Sequence, residues 1–250
     1  MPLATSISWG LLLSAVLASS AAEEASHASL AQQALARAQA HYEQDPRDVD
    51  AAWQYARACF DLADVTTNKA ECATIAERGI EVSQQALPRA TNSAPLHYYL
   101  GLNLGQLART RGISALKLVE QMEREFLRAA GLEPKFDYAG ADRSLGLLYR
   151  EAPAVVSVGS RFKARQHLAR AVELAPQYPE NHLNLLEAYL QWGERDAARR
   201  ELKVLEQDWA SARLQLAGPA WAASWADWDA RLQKAKKKLE EPAKLESPRH

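Results

Sequence analysis

Residues of the types that most often do chemistry are few in this sequence and lie far apart. The cysteines number two, Cys59 and Cys72, and two thiols without a nearby histidine fall short of a zinc ligand set. His97, His167 and His182 lie on different predicted helices. A glycine-rich phosphate loop, a His-Glu-x-x-His pair and a Gly-x-Ser-x-Gly elbow are all missing from the sequence. We therefore expect no catalytic residue, no metal site and no cofactor, and we predict that the protein is not an enzyme.

The two cysteines lie on the two helices of one predicted helix pair. Antiparallel helices joined by a loop could bring Cys59 and Cys72 together, and an oxidising compartment would favour a disulfide between them. The sequence leaves two states open, a disulfide or two buried thiols.

The composition predicts a packed helical protein. Of the 250 residues, 48% are hydrophobic and 24% are charged, with 11 glycines and 11 prolines. Long runs of Ala, Leu, Gln, Glu and Arg favour helix, and no segment alternates as a strand does. The formal net charge is −1, which gives no electrostatic reason to expect nucleic acid as a partner.

The amino-terminal segment differs from the rest of the chain. Ile7–Ala18 is an uncharged apolar run followed by small residues suited to cleavage near Ala22, which is typical of a secretory signal peptide over residues 1–22. We therefore expect export to the periplasm or cell envelope. The alternative is an uncleaved amphipathic or anchoring helix, and membrane contact is then expected only through this segment. No cysteine ends the run, so a lipid anchor is not expected.

One stretch, Arg161–Gln191, predicts two helices that meet at a corner. Pro176 and Pro179 mark the corner, because proline cannot donate the hydrogen bond of an interior helical turn. Small and large residues recur at helical spacing in the first helix, at Ala164, Leu168, Ala171 and Leu174. Small residues let a neighbouring helix approach, and leucines fill the gaps between helices.

Similar helix pairs are predicted along most of the chain, over residues 50–88, 94–134, 140–176 and 180–207. Equivalent first-helix positions recur every 40–45 residues, at Trp53, His97, Asp142 and His182. Packing is the role we expect for the two histidines among them. The spacing alone favours HEAT-like repeats, since tetratricopeptide repeats (TPRs) have about 34 residues. Either kind of repeat stacks into a superhelix with a concave surface.

The internal signatures resemble those of TPRs. Leu145-Gly146-Leu-Leu-Tyr149 is similar to the Leu-Gly-x-x-Tyr signature, and Ala164–Pro176 is similar to the small-and-large pattern of the second helix. The resemblance implies an all-α fold, a TPR-like helical-hairpin superhelix (α-solenoid) of about four lengthened repeats. We expect one domain over residues 23–239.

The carboxyl-terminal segment is rich in tryptophan. Trp221, Trp225, Trp228 and Leu232 share one helical face, so residues 209–239 are predicted to form a helix that caps the last repeat. A membrane-surface or partner-binding helix is the alternative, which the lysines at 234, 236, 237 and 238 favour. Residues 240–250 are predicted to be disordered.

The TPR resemblance also implies a binding face, because the first helix of each TPR pair lines the concave surface. The positions implied are Gln54, Tyr55, Tyr98, Tyr99, Gln106, Arg143, Arg150, Asn184, Glu187 and Gln191. Tyrosines with amides and arginines can bind a peptide or a small organic ligand. Alternatively, the tyrosines only pack between helices.

A narrower resemblance covers Trp53–Leu205. The segment Tyr138–Gly146 and the dipeptide Ala152-Pro153 resemble the exported TPR proteins grouped as the T component of TRAP transporters. That resemblance implies a non-enzymatic protein, sometimes oligomeric, that works beside a periplasmic solute-binding protein. Ala141 stands where that family would have proline. The run His97–Leu107 also resembles the regulator of microtubule dynamics proteins, a related TPR group that fits the signal peptide poorly.

Two functions follow from these expectations. The first is an envelope scaffold or adaptor that binds a protein partner, with a periplasmic solute-binding protein and a second copy of this chain as candidates. The second is a carrier of a small hydrophobic or organic-acid ligand inside the superhelix.

Overall fold

A computed structural model describes residues 28–111 and 115–241. The described residues are largely helical and include no strand. The predicted signal peptide and residues 242–250 of the predicted disordered tail lie outside the described residues. Within the described part of the chain, no helix is both long enough and apolar enough to cross a membrane.

The helices follow one another through short connections. In chain order they are α1 (28–44), α2 (Val49–Val65), α3 (Lys69–Ala86), α4 (Ala94–Arg111), α5 (Leu116–Leu132), α6 (Phe136–Glu151), α7 (Arg161–Leu174), α8 (Pro179–Gln191), α9 (Arg195–Gln215) and α10 (Ala222–Glu240). Two short 3-10 turns, Leu87–Arg89 and Pro219–Trp221, precede α4 and α10.

The described residues divide into two compact units, one on each side of the boundary between residues 118 and 119. In the first unit, α2, α3 and α4 pack against one another. In the second unit, α6 packs on α7, α8 on α9, and α10 on α8 and α9. The expectation of a single domain stays a prediction.

Side-chain caps begin several of the helices. Asp48 caps α2 and accepts a hydrogen bond from the Asp50 backbone N–H at 2.8 Å. Asn68 caps α3 and Ser160 caps α7 in the same way. Pro179 is at the start of α8, where its missing N–H has no intrahelical acceptor to lose.

Each unit has a glycine at a close helix contact. A Cβ added at Gly79 would lie 2.5 Å from the Asn103 amide, which donates to the Ala56 and Tyr99 carbonyls. A Cβ at Gly146 would lie 2.5 Å from Leu168. The glycine of the Leu-Gly-x-x-Tyr signature therefore lets α6 approach α7.

The capping helix predicted from the tryptophans is α10. Trp225, Trp228, Leu232, Ala235 and Leu239 are buried in one cluster with apolar residues of α8 and α9. Helix α9 continues through Trp209 to Gln215, because nothing breaks it before the Gly218-Pro219 pair.

Arg195 satisfies the carboxyl end of α10. Its guanidinium donates to the backbone carbonyls of Lys238, Leu239 and Glu241 at 3.2, 2.7 and 2.6 Å. The last carbonyls of a helix have no intrahelical donor, so this contact fixes the end of α10 to the start of α9.

Candidate functional site

In the first unit, most of the expected binding residues are buried. Tyr55, Tyr98 and Tyr99 are 8%, 3% and 4% exposed. The Tyr99 ring stacks on Trp53 at 5.9 Å and meets Tyr98 edge-on at 5.1 Å. Gln54 is exposed. The tyrosine rings therefore pack inside the unit, and a ligand-binding role for them stays a prediction.

The other two residues selected from the sequence in this unit are glutamines, Gln106 with side-chain hydrogen bonds and Gln54 beside a groove. The Gln106 amide donates to Asp64 at 2.9 Å and accepts from Arg109 at 2.8 Å. Gln54 lines an open groove of about 550 Å³ between α1 and α2.

The cysteines also lie in this unit, and both are buried free thiols. The Cys72 thiol donates to the Ala63 carbonyl at 3.5 Å. Burial raises the pKa of the Cys59 thiol to about 12, which disfavours the reactive thiolate. The structure therefore contains two buried thiols, one of the two states that the sequence left open. A disulfide between Cys59 and Cys72 stays a prediction for an oxidising compartment.

In the second unit, Arg143 holds a left-handed turn. Asp137, Tyr138 and Ala139 have φ values of 50°, 54° and 62°, a region that non-glycine residues avoid because Cβ approaches the carbonyl oxygen. Arg143 is 7% exposed and donates to the backbone carbonyls of Asp137 and Tyr138, each at 3.2 Å. It also forms an ion pair with the Asp137 carboxylate at 3.0 Å.

Asn181 completes this support from α8. Its amide donates to the Tyr138, Ala171 and Ala175 carbonyls, and its oxygen accepts from Arg143. Arg143 belongs to Tyr138–Gly146, the segment that resembles the T component, and its contacts give this arginine a structural role in the turn. A binding role for Arg143 stays a prediction.

The other four sequence-selected residues, Arg150, Asn184, Glu187 and Gln191, lie close together. They come from α6 and α8, and α10 crosses beside them. A cavity of about 290 Å³ lies between these three helices, and we call it the basic groove. Its lining residues are Arg150, Glu187, Leu190, Gln191, Arg231, Lys234, Ala235 and Lys238.

Arg231 joins α10 to α8 within the groove. Its guanidinium binds both Glu187 carboxylate oxygens, at 2.8 and 2.9 Å, and donates to the Asn184 side-chain oxygen at 2.6 Å. Burial by itself would lower the pKa of Arg231, but the hydrogen bonds and charge of Glu187 outweigh it and raise that pKa. The bidentate geometry makes this a strong, oriented pair.

Arg150 lies across the groove from α10. It donates to the Asn184 backbone carbonyl at 3.3 Å and pairs with Glu151 at 2.6 Å. The Asn184 side-chain N–H group is buried without an acceptor in the described part of the chain. Such a group costs free energy, so α8 retains an unused donor buried behind the groove.

Positive charge exceeds negative charge in the groove. Four cationic side chains line it, against the single carboxylate of Glu187. Lys234 and Lys238 are exposed, and neither has a carboxylate within 4.0 Å among the residues described. Leu190 and Ala235 provide a buried apolar floor. A groove of this kind attracts an anionic group and contacts its apolar neighbours.

The binding-face prediction omitted the α10 side of this groove. Arg231, Lys234 and Lys238 recur at helical spacing beside the tryptophan face. That pattern was available in the sequence, and it favours the partner-binding alternative for this helix. The lysines and the tryptophans are therefore compatible, because they occupy different faces of the same cap.

Comparisons with known proteins support the repeat fold. The family model described as regulator of microtubule dynamics protein 1-3 matches residues 17–139. A crystal structure of a thermophilic TPR protein from Thermus thermophilus is similar over 86% of this chain and 99% of its own. Its TM-score is 0.60 and its sequence identity 21%. No curated protein matches the sequence significantly.

The helical hairpins and the solved TPR structure together confirm the predicted fold class, all-α and TPR-like. Folds of this class are typical of scaffolds for protein interaction. At 21% identity, the likeness extends to the fold alone.

Proposed function

We propose that this protein is a non-enzymatic TPR scaffold of the cell envelope that binds a protein partner in the basic groove. The observation that carries the proposal is the convergence of α6, α8 and α10 on one open cavity with excess positive charge. Proteins with stacked helical pairs bind partners along such surfaces.

A periplasmic solute-binding protein of a TRAP-type transporter is the partner we propose. This part of the proposal rests on the resemblance of Tyr138–Gly146 to the T component and on the predicted signal peptide. A second copy of this chain is the other candidate partner.

A small organic acid is a second candidate ligand for the groove. The cavity's volume and its cationic rim over an apolar floor favour it. The protein then acts as a carrier rather than as a scaffold.

The test uses the chain from residue 23 onward as bait in envelope extract of its own cell, with bound proteins identified by mass spectrometry. Gln191→Trp fills the groove, and Gln233→Trp is the matched control, because Gln233 is exposed on α10 outside the groove. We expect wild type and Gln233→Trp to retain the same partner and Gln191→Trp to lose it.

The identity of the captured protein refines the result. A solute-binding protein supports the transporter role, and a different envelope protein removes it while leaving the scaffold. Equal capture by both tryptophan variants contradicts the proposed site. Circular dichroism and thermal unfolding of each variant exclude loss of fold as the cause.

A further inference from the structure

We infer that the basic groove recognises acidic side chains at alternate positions of an extended segment of the partner, and that α10 supplies the cations that bind them. The inference rests on the proposed function, since it names the chemistry that a protein partner must present.

The available charge is on α10. Arg231 is engaged by Glu187 at 2.8 Å and Arg150 by Glu151 at 2.6 Å. Lys234 and Lys238 are the lining cations that have no carboxylate partner in the described part of the chain. Two exposed ammonium groups beside a partly desolvated floor favour carboxylates over neutral groups.

The spacing of the two lysines predicts the spacing of the acids. Lys234 and Lys238 are one helical turn apart, which is about 6 Å along α10. Alternate side chains of an extended segment point the same way and are about 6.6 Å apart. Carboxylates at positions i and i+2 can therefore meet both lysines, whereas adjacent carboxylates point to opposite sides.

The openness of the groove favours a protein segment over a small anion. Gln191, Lys234 and Lys238 are exposed at its rim, whereas small-ligand pockets bury most of the ligand surface. A segment that continues past the rim makes use of both the lysines and the floor formed by Leu190 and Ala235.

Helix α10 is held in place before a partner arrives. Trp228 is 2% exposed in the core of the unit, Arg231 ties the middle of the helix to Glu187, and Arg195 holds its carboxyl end. A fixed helix presents its lysines without a cost for ordering the backbone at binding.

Synthetic peptides test the spacing directly. The first peptide alternates glutamate and alanine, the second repeats Glu-Glu-Ala-Ala, and the third replaces each glutamate of the first by glutamine. All have blocked ends, so that terminal charges do not contribute. By calorimetry with the chain from residue 23, we expect the alternating peptide to bind about tenfold more tightly than the paired one. The neutral peptide should bind weakly, and added salt should weaken the acidic peptides.

A matched pair of variants tests the helix. We expect Lys234→Gln with Lys238→Gln to reduce affinity for the alternating peptide about tenfold or more. Lys203→Gln with Lys237→Gln removes the same charge at exposed positions outside the groove and should leave affinity within about twofold. Equal losses in the two pairs would show an effect of net charge only and overturn the inference.

Two further results also overturn it. One is equal affinity for the alternating and paired peptides. The other is tighter binding of free succinate than of the alternating peptide, which would assign the groove to a small organic acid.

The captured partner separates this inference from the proposed function. If Gln191→Trp loses the partner and the Lys234 and Lys238 variant keeps it at all salt concentrations, the groove is a protein site without acid recognition. If Gln191→Trp keeps the partner, the proposed function itself fails.

Discussion

The two units place the residues selected from the repeat pattern in different surroundings. In the first unit, Tyr98 and Tyr99 are buried against Trp53. In the second unit, Arg150 and Glu187 line an open groove. The difference follows from side-chain chemistry, because a tyrosine ring gains from burial whereas a charged group loses hydration unless it finds a partner. A repeat position predicts which helix face a residue occupies, and the side chain decides whether that face stays open.

Among substitutions that test this difference between the units, Trp228→Ala should cause the largest loss of stability. The ring fills the core between α10 and the rest of the second unit, and such truncations cost about 3–5 kcal/mol. We expect unfolding of the second unit at lower denaturant concentration, with loss of partner binding.

Tyr99→Ala is the counterpart in the first unit, and it should destabilise that unit while leaving partner binding intact. Chemical denaturation followed by tryptophan fluorescence, together with the capture assay, measures both effects. Loss of binding in Tyr99→Ala at unchanged stability would show that the partner binds the first unit.

Arg143→Ala should have the next largest effect. It leaves the left-handed turn and the Asn181 oxygen without their donor, for a cost of about 2–3 kcal/mol. We expect lower stability and near-normal binding by folded protein, measured by urea unfolding and by peptide calorimetry. Weaker binding without destabilisation would make Arg143 a ligand-binding residue, as the repeat position predicts.

These residues also show how far the sequence could predict the structure. The helix pairs and the tryptophan cap follow from local patterns and were predicted. The left-handed turn was missed, because part of its support comes from Asn181, which is distant in sequence from Tyr138. The position of α10 beside α8 was missed for a similar reason, since the spacing of the α10 cations is visible in the sequence but the Arg231–Glu187 pair joins separate helices.

Glycine substitutions should have intermediate effects on stability. Gly146→Ala forces a methyl group against Leu168, for about 1–3 kcal/mol. Gly131→Ala in α5 meets nothing within 4 Å and should stabilise the helix by about 0.5–1 kcal/mol. Thermal unfolding compares the two variants, and equal effects would show that α6 does not need its close approach to α7.

The smallest effect should be a pH dependence from His182. Burial lowers the pKa of this imidazole, but its hydrogen bond to Glu201, the charge of Glu201 and the Pro176 carbonyl together raise it above the ordinary value. The stabilisation is therefore complete below about pH 6.5 and is lost as pH rises through the folded-state pKa. As the pH rises from about 6.5 through the folded-state pKa, we expect the unfolding free energy to fall in wild type and to change less in His182→Gln. Parallel pH profiles would contradict this assignment.

Site-specific photocrosslinking tests the central difference between the units most directly. A photoreactive amino acid replaces Gln191 in the basic groove or Gln54 in the first unit, both of which are exposed. Each variant is irradiated in envelope extract. We predict a partner adduct at position 191, suppressed by the alternating acidic peptide, and none at position 54. The same adduct at position 54 alone would contradict the assignment of partner binding to the groove between α6, α8 and α10.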